Sequence, residues 1–330
     1  MKAIVFPQKD WVEVTEAADP VVAPGKVVVR VRASGLCHTD LDVMHSNYGP
    51  SAFPLIPGHE FAGEVAAIGS GVTGLAEGDR VVIDPNLECG ECAACLRGWA
   101  HLCETLGAYG VSTDGGFADY CAVRADRVHP IGDMPFDIAA LAEPMGCALN
   151  ALSPLEGRIV ERAVIFGTGP MGLLLGLALR VLGAAEVNMV DLDPGRLDLA
   201  RGLGLSGVAS GSGALAVHER SCDLAVDATG VPAVAARLLH YVANGGAALF
   251  FGVCPQDARI EISPFEVFRR QLALFGTHSL NHNIPAALDT LAAIGPRVAE
   301  VVTHRMTAED VAAVMAGHKP PGSLKIQMFT

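Results

Sequence analysis

Ala163-Val-Ile-Phe-Gly-Thr-Gly-Pro-Met-Gly172 reads as an apolar strand over 163–166 that runs directly into a glycine turn, Gly167-Thr-Gly169-Pro170-Met171-Gly172, and then into a Leu-rich helix over 171–182. Strand, turn and helix in that order open a parallel sheet with helices on its faces. Gly167 allows the tight turn and Gly169 lets the backbone approach a pyrophosphate. Gly172 lets the helix pack on the strand with its first amides facing the anion. Nineteen residues past Gly172, the next predicted strand ends at Asp191, where an acid accepts hydrogen bonds from both ribose hydroxyls of an adenosine. A carboxylate about 4 Å from a 2′-phosphate costs roughly 4 kcal/mol at an effective dielectric near 20. Asp191 therefore selects NAD over NADP, and Arg196 is the nearby residue able to pair with a phosphate instead.

Outward from this stretch, the second half alternates strand and helix. Helices are expected over 139–152, 194–203 and 232–242, and strands over 186–190, 222–226 and 247–251. The segment 204–216, with four Gly and three Ser, reads as an abbreviated or irregular connection. Towards the N-terminus, to about residue 127, short β-rich runs over 26–32, 63–68 and 79–83 are separated by Gly and Pro, the pattern of a mainly antiparallel, barrel-like domain. The fold class is α/β with a second, β-rich domain.

At 330 residues the chain has room for two domains. A hydrophobic share of 51% with 18% charged residues excludes intrinsic disorder. A net charge of −13, spread along the chain with no basic run, argues against nucleic acid or an anionic membrane as partner. The apolar stretch 163–179 is short for a bilayer span and is interrupted by Gly-Thr-Gly-Pro. The N-terminal apolar run is too short for a secretory signal, and nine cysteines in such a chain point to thiols kept reduced in the cytoplasm.

Four of those cysteines, Cys89, Cys92, Cys95 and Cys103, follow the spacing C-x2-C-x2-C-x7-C. Four thiolates within so short a loop wrap tetrahedrally round one Zn²⁺ and leave no position for water, which defines a structural site; a soft S₄ set also suits iron. Cys121, Cys147, Cys222 and Cys254 show no spacing pattern and read as buried small residues. A second group is scattered over three segments: Cys37 in Gly35-Leu-Cys-His-Thr-Asp40, His59 and Glu60 in Pro57-Gly-His-Glu60, and Glu143 in Leu141-Ala-Glu-Pro-Met145. One Cys, one His and one or two Glu would leave a position open on Zn²⁺, as a catalytic site requires.

With the cysteine loop, Gly58-His59-Glu60 and the glycine turn in that order, the chain resembles the zinc-dependent medium-chain dehydrogenase/reductases over essentially its whole length. Glu143 within Glu-Pro, where simple alcohol dehydrogenases carry a cysteine, is similar to the sorbitol and other polyol dehydrogenases. The resemblance implies a GroES-like catalytic domain, 1–144 and 277–330, interrupted by a Rossmann coenzyme domain, 145–276. It implies two Zn²⁺ per subunit: a catalytic ion on Cys37, His59 and Glu143 with Glu60 as alternating or supporting ligand, and a structural ion on Cys89, Cys92, Cys95 and Cys103. Cys147, one helical turn beyond Glu143, is the rival ligand. Thr39 matches the hydroxyl that touches the substrate oxygen, and Asp40 the acid that orients the zinc-bound histidine. Asp42 stands where relatives carry the histidine that ends the proton relay, so Asp42 and His45 are the candidates for that role. Val253 and Thr277 join the coenzyme site, and His278 and Ser279 fall where polyol dehydrogenases line the substrate. Tyr48 and Phe53 are aromatic candidates for the pocket wall, with core or loop packing the plainer reading.

The expected reaction is NAD-dependent oxidation of a secondary hydroxyl of a polyol to the ketose, by a homo-oligomer, dimer or tetramer. Butanediol, threonine and simple alcohol dehydrogenation on the same scaffold are the alternatives, and a non-catalytic NAD-binding redox sensor with one structural zinc is the alternative of another class.

Overall fold

The computed structural model describes residues 1–47 and 52–330; Tyr48 lies outside the described residues. The chain divides into two compact units, Met1–Gly146 with Leu280–Thr330, and Cys147–Ser279. The expected limits of 144/145 and 276/277 fall two and three residues short of these divisions.

The Cys147–Ser279 unit is a six-stranded parallel sheet in the order Ser206–Ala209, Glu186–Asp191, Arg162–Phe166, Cys222–Asp227, Val242–Phe250, Ala273–Gly276. The order reverses beside Arg162–Phe166, which pairs with Glu186–Asp191 on one side and Cys222–Asp227 on the other. Such a reversal opens a crevice at the carboxyl ends of the strands, where α/β sheets bind ligands. The helix Pro170–Val181 buries eight consecutive residues, Gly172 to Leu179, which fixes the glycine turn against the sheet. The sequence expectation of one helix over 232–242 is corrected to two short helices, Pro232–Ala235 and Leu238–Tyr241. Val242 instead starts a strand, because its backbone pairs with Cys222 in the sheet. The irregular connection resolves into the strand Ser206–Ala209 and a 3₁₀ helix, Gly213–His218.

In the other unit, the ten-residue strand Lys26–Gly35 is the organising element. Its first half pairs with Tyr120–Arg124, its C-terminal end with Lys325–Phe329, and its whole length antiparallel with Glu60–Ile68. Two register shifts along the last pairing bend it, as bulges do, so that one strand serves two neighbours on the same edge. One face packs Val27, Val29, Val31, Phe61, Val65 and Ile83 into a core. The one helical run among the described residues long and apolar enough to cross a bilayer, Phe136–Leu155, has 78% of its window buried inside the fold. Of the four unpatterned cysteines, Cys121 and Cys222 are buried, whereas Cys147 and Cys254 are only partly so.

Gly35 sits opposite both Glu60 and Gln327. A Cβ there would lie 2.1 Å from the Glu60 carboxylate and 3.0 Å from Lys325 Cε, so only glycine fits. Gly35→Ala is expected to cost about 1–3 kcal/mol of stability through overpacking, read as a fall in the thermal midpoint by calorimetry.

Candidate functional site

The pairing of Gly35 with Glu60 sets the end of one strand beside the start of the next. Cys37 lies two residues past the first and His59 immediately before the second. Residues 22 apart in sequence are thereby neighbours: Cys37 Sγ, a His59 ring nitrogen and a Glu60 carboxylate oxygen all lie within 4.8 Å of one another. Asp40 locks this corner. Its carboxylate accepts the Cys37 amide at 2.8 Å and the Gly58 amide at 3.1 Å, and lies 3.3 Å from His59 Nδ1. Burial works against a charged His59, but the charge and hydrogen bonding of Asp40, aided by Cys37, outweigh it and hold the imidazole well above its ordinary pKa. The corner stabilises positive charge on a thiol–imidazole–carboxylate donor set, and that combination suits Zn²⁺.

Lys325, buried at 4% exposure, pairs with the Glu60 carboxylate and donates to the Leu36 carbonyl at 3.1 Å. Burial disfavours its charge, yet Glu60 and then Cys37 outweigh it and keep the ammonium above the usual lysine pKa. Lysine at this position carries no motif, and sequence reasoning missed it. Glu143 is buried in the first turn of the helix Ala142–Leu152 and close enough to favour the charged Lys325. It stands outside the three-donor group among the described residues. Cys147 is further along the same helix and equally outside it.

Thr39 Oγ1 receives the Cys37 thiol at 3.7 Å. The two relay candidates are engaged elsewhere: Asp42 faces His38 at 3.9 Å, and His45 Nδ1 lies 2.6 Å from Asp10. Among the described residues neither is joined to Thr39. Phe53 packs against the core built from Phe6, Leu55 and Phe117.

The cysteine loop is closed on itself. Sγ separations of 3.5 Å for Cys92–Cys95 and Cys89–Cys103 and 4.0 Å for Cys89–Cys95 match the roughly 3.8 Å between sulfurs that share one tetrahedral Zn²⁺. Amides of Cys89 and Thr105 point at Cys103 Sγ, and these, the Cys89 amide foremost, pull that thiol down to about 6. Burial instead pushes Cys95 up to about 12. Cys92 is lowered as well, the Cys95 amide foremost, so two of the sulfurs incline to the thiolate that a metal needs.

In the Cys147–Ser279 unit, Gly167 turns with φ +99°, and a Cβ on Gly172 would fall 2.0 Å from the Gly167 carbonyl. Gly169 caps the helix, with Pro170 and Met171 in its first turn. Asp191 accepts the Thr168 amide at 2.8 Å and the Asp193 amide at 3.0 Å. Arg196 is divided between Asp191 and Asp193, 3.8 Å from each. Two features had no sequence signal. Buried Asp227 accepts Thr229 N and Oγ1 through one oxygen while its other oxygen is without a hydrogen bond. Phe166, Ser212, Leu215, Val234, Arg237 and Tyr241 line a cavity of about 370 Å³. Val253 is almost fully exposed. Thr277 Oγ1 is buried without a hydrogen bond, and Ser279 adopts φ +53°, its carbonyl and that of His278 both accepting from Asn150.

Residues 23–133 match the alcohol dehydrogenase GroES-like domain and residues 170–293 the zinc-binding dehydrogenase domain. The chain is 50% identical to D-altritol 5-dehydrogenase of Agrobacterium fabrum, covering 99% of each chain. It is 31% identical to D-arabinitol dehydrogenase 1 of Uromyces fabae, covering 94% of this chain and 91% of the other. Its structure matches a protein described as a zinc-binding dehydrogenase from Sinorhizobium meliloti, bound to NADP, with a TM-score of 0.94 at 27% identity over 100% of this chain and 99% of that one.

Elemental analysis of the purified protein is expected to give two zinc per chain. Cys95→Ser should leave one and lower the thermal midpoint; a variant that retains both ions would show that the sulfur cluster does not hold one.

Proposed function

The chain belongs to the zinc-dependent medium-chain dehydrogenase/reductases, and from that premise we propose that it oxidises a secondary hydroxyl of a sugar alcohol to the ketose with NAD as hydride acceptor. Two whole-length relatives named for sugar alcohols support the substrate class, the first at 50% identity. The observation that carries the chemistry is the meeting of Cys37, His59 and Glu60 beside Thr39.

Cys37 and His59 would hold the metal with Glu143 as third ligand. Glu60, paired with Lys325, would be the supporting or alternating ligand. Zinc bound there supplies Lewis acidity that makes a hydroxyl easier to deprotonate. Thr39 orients that hydroxyl and accepts its proton. Asp40 keeps the His59 ring fixed through Nδ1, which sets its orientation and its basicity towards a cation. The glycine turn and Asp191 would hold NAD, which would supply the hydride acceptor.

A panel of sugar alcohols, butanediol, threonine and simple alcohols is expected to give NADH formation fastest with the sugar alcohols; turnover confined to the other classes would defeat the assignment. Asp191→Ser should raise kcat/KM with NADP relative to NAD by roughly 100-fold, part of the 4 kcal/mol that a nearby carboxylate exacts from a 2′-phosphate. Paired initial-rate measurements check it.

A further inference from the structure

The residues that aim His59 are themselves held by a segment the reaction does not use. Asp114 Oδ1 accepts the Ile56 amide at 2.9 Å. The next three amides then donate to the same turn: Gly115 to the Ile56 carbonyl at 2.8 Å, Gly116 to Gly58 at 2.8 Å and Phe117 to Pro57 at 3.0 Å. Gly58 turns with φ +98°, and a Cβ on Gly115 would lie 2.1 Å from the Gly58 carbonyl. Backbone groups of the three residues before His59 are therefore gripped from one side by residues 114–117. Asp40 grips the remaining Gly58 amide from the other.

Asp114 differs from the rest of this clamp in being exposed, while Gly115, Gly116 and Phe117 are buried. Its hydrogen bond reaches across 58 residues to a main-chain amide. Such a bond stabilises a protein by about 1–3 kcal/mol, a fraction of what holds a chain of this size together. A ligand, however, must be held within about 0.5 Å of its working position, so the same small energy has a large effect on placement. Leu55 is paired to Phe6 in both directions, at 3.0 and 2.8 Å, so the Asp114–Ile56 bond is the link between that pair and the three backbone rungs. Without it the Ile56 amide loses its acceptor, and the turn from Ile56 to Gly58 that carries His59 is held by the backbone rungs alone.

We propose that Asp114 is a positioning residue for His59, acting through the Ile56 amide, and that its function is to hold the imidazole in register with Cys37 rather than to stabilise the fold. The proposal rests on the reading of Cys37 and His59 as metal ligands. What Asp114 contributes is an acceptor oxygen, not a charge, so asparagine can replace it and alanine cannot.

The test uses the full-length protein with zinc retained in the cysteine loop and the exchangeable site titrated with Co²⁺. Asp114→Ala is expected to weaken Co²⁺ binding about tenfold, the lower end for loss of a supporting contact, and to alter the cobalt ligand-field spectrum. It should lower kcat more than KM, with NADH affinity, cysteine-loop zinc and thermal midpoint near those of the parent. Asp114→Asn is expected to restore affinity and spectrum. Parent-like cobalt binding and spectrum in Asp114→Ala would overturn the proposal. So would failure of Asp114→Asn to rescue, or loss of cysteine-loop zinc along with the cobalt, which marks a general structural role. If the parent protein itself takes up no Co²⁺ at this site, the metal reading fails and the proposal with it.

Discussion

The antiparallel register that sets Gly35 opposite Glu60 on one side and Gln327 on the other is the constraint from which the candidate metal corner follows. In a sheet the side-chain period is two, so a slip of one residue turns every side chain to the opposite face. Here a slip would carry Glu60 away from Cys37 and Lys325 away from Glu60. The register is fixed by burial, since Val27, Val29, Val31, Phe61 and Val65 must all face the same core. It is fixed again by Gly35, where a side chain has no room. Apolar packing along the strands thus determines where polar ligands meet at their ends.

Charge explains why that corner wants a cation. Cys37, Glu60 and Glu143 carry three negative charges when ionised, and Lys325 offsets one of them. A divalent ion would offset the other two. Asp40 is separately satisfied by two amides and by His59. Burying unpaired charge is costly enough that the groups otherwise take up protons. The charge and hydrogen bonding of Asp40, with Cys37, likewise favour a positive charge on His59 against the cost of its burial.

Local patterns were readable from sequence, and arrangements that depend on long-range pairing were not. The glycine turn and Asp191 lie within one strand–turn–helix–strand unit, so their spacing carries their geometry. The four cysteines lie within one loop, and the same holds. Cys37 and His59 come together only through a strand pairing that no spacing encodes, and only the likeness to known dehydrogenases links them in sequence. Lys325 and Asp114 were invisible because a lysine in a strand and an aspartate in a Gly-rich loop are ordinary residues until their partners are placed. The engagement of Asp42 with His38 and of His45 with Asp10 was hidden for the same reason. Helix limits shifted where the sheet claimed residues, as at Val242.

The coenzyme corner obeys a different economy of hydrogen bonds. Both Asp191 oxygens already accept a backbone amide, yet a carboxylate has about four lone-pair positions, so acceptor capacity remains for ribose hydroxyls. The same amides anchor the carboxylate, so it cannot turn away without leaving the Thr168 and Asp193 amides unpaired. Arg196 sits 3.8 Å from two acids at once, so a phosphate would compete with both for it. A 2′-phosphate would therefore meet an anchored negative group and a positive one shared with two acids. The proposed preference for NAD therefore rests on how Asp191 is held as much as on its charge, because an acid free to turn could yield to the phosphate.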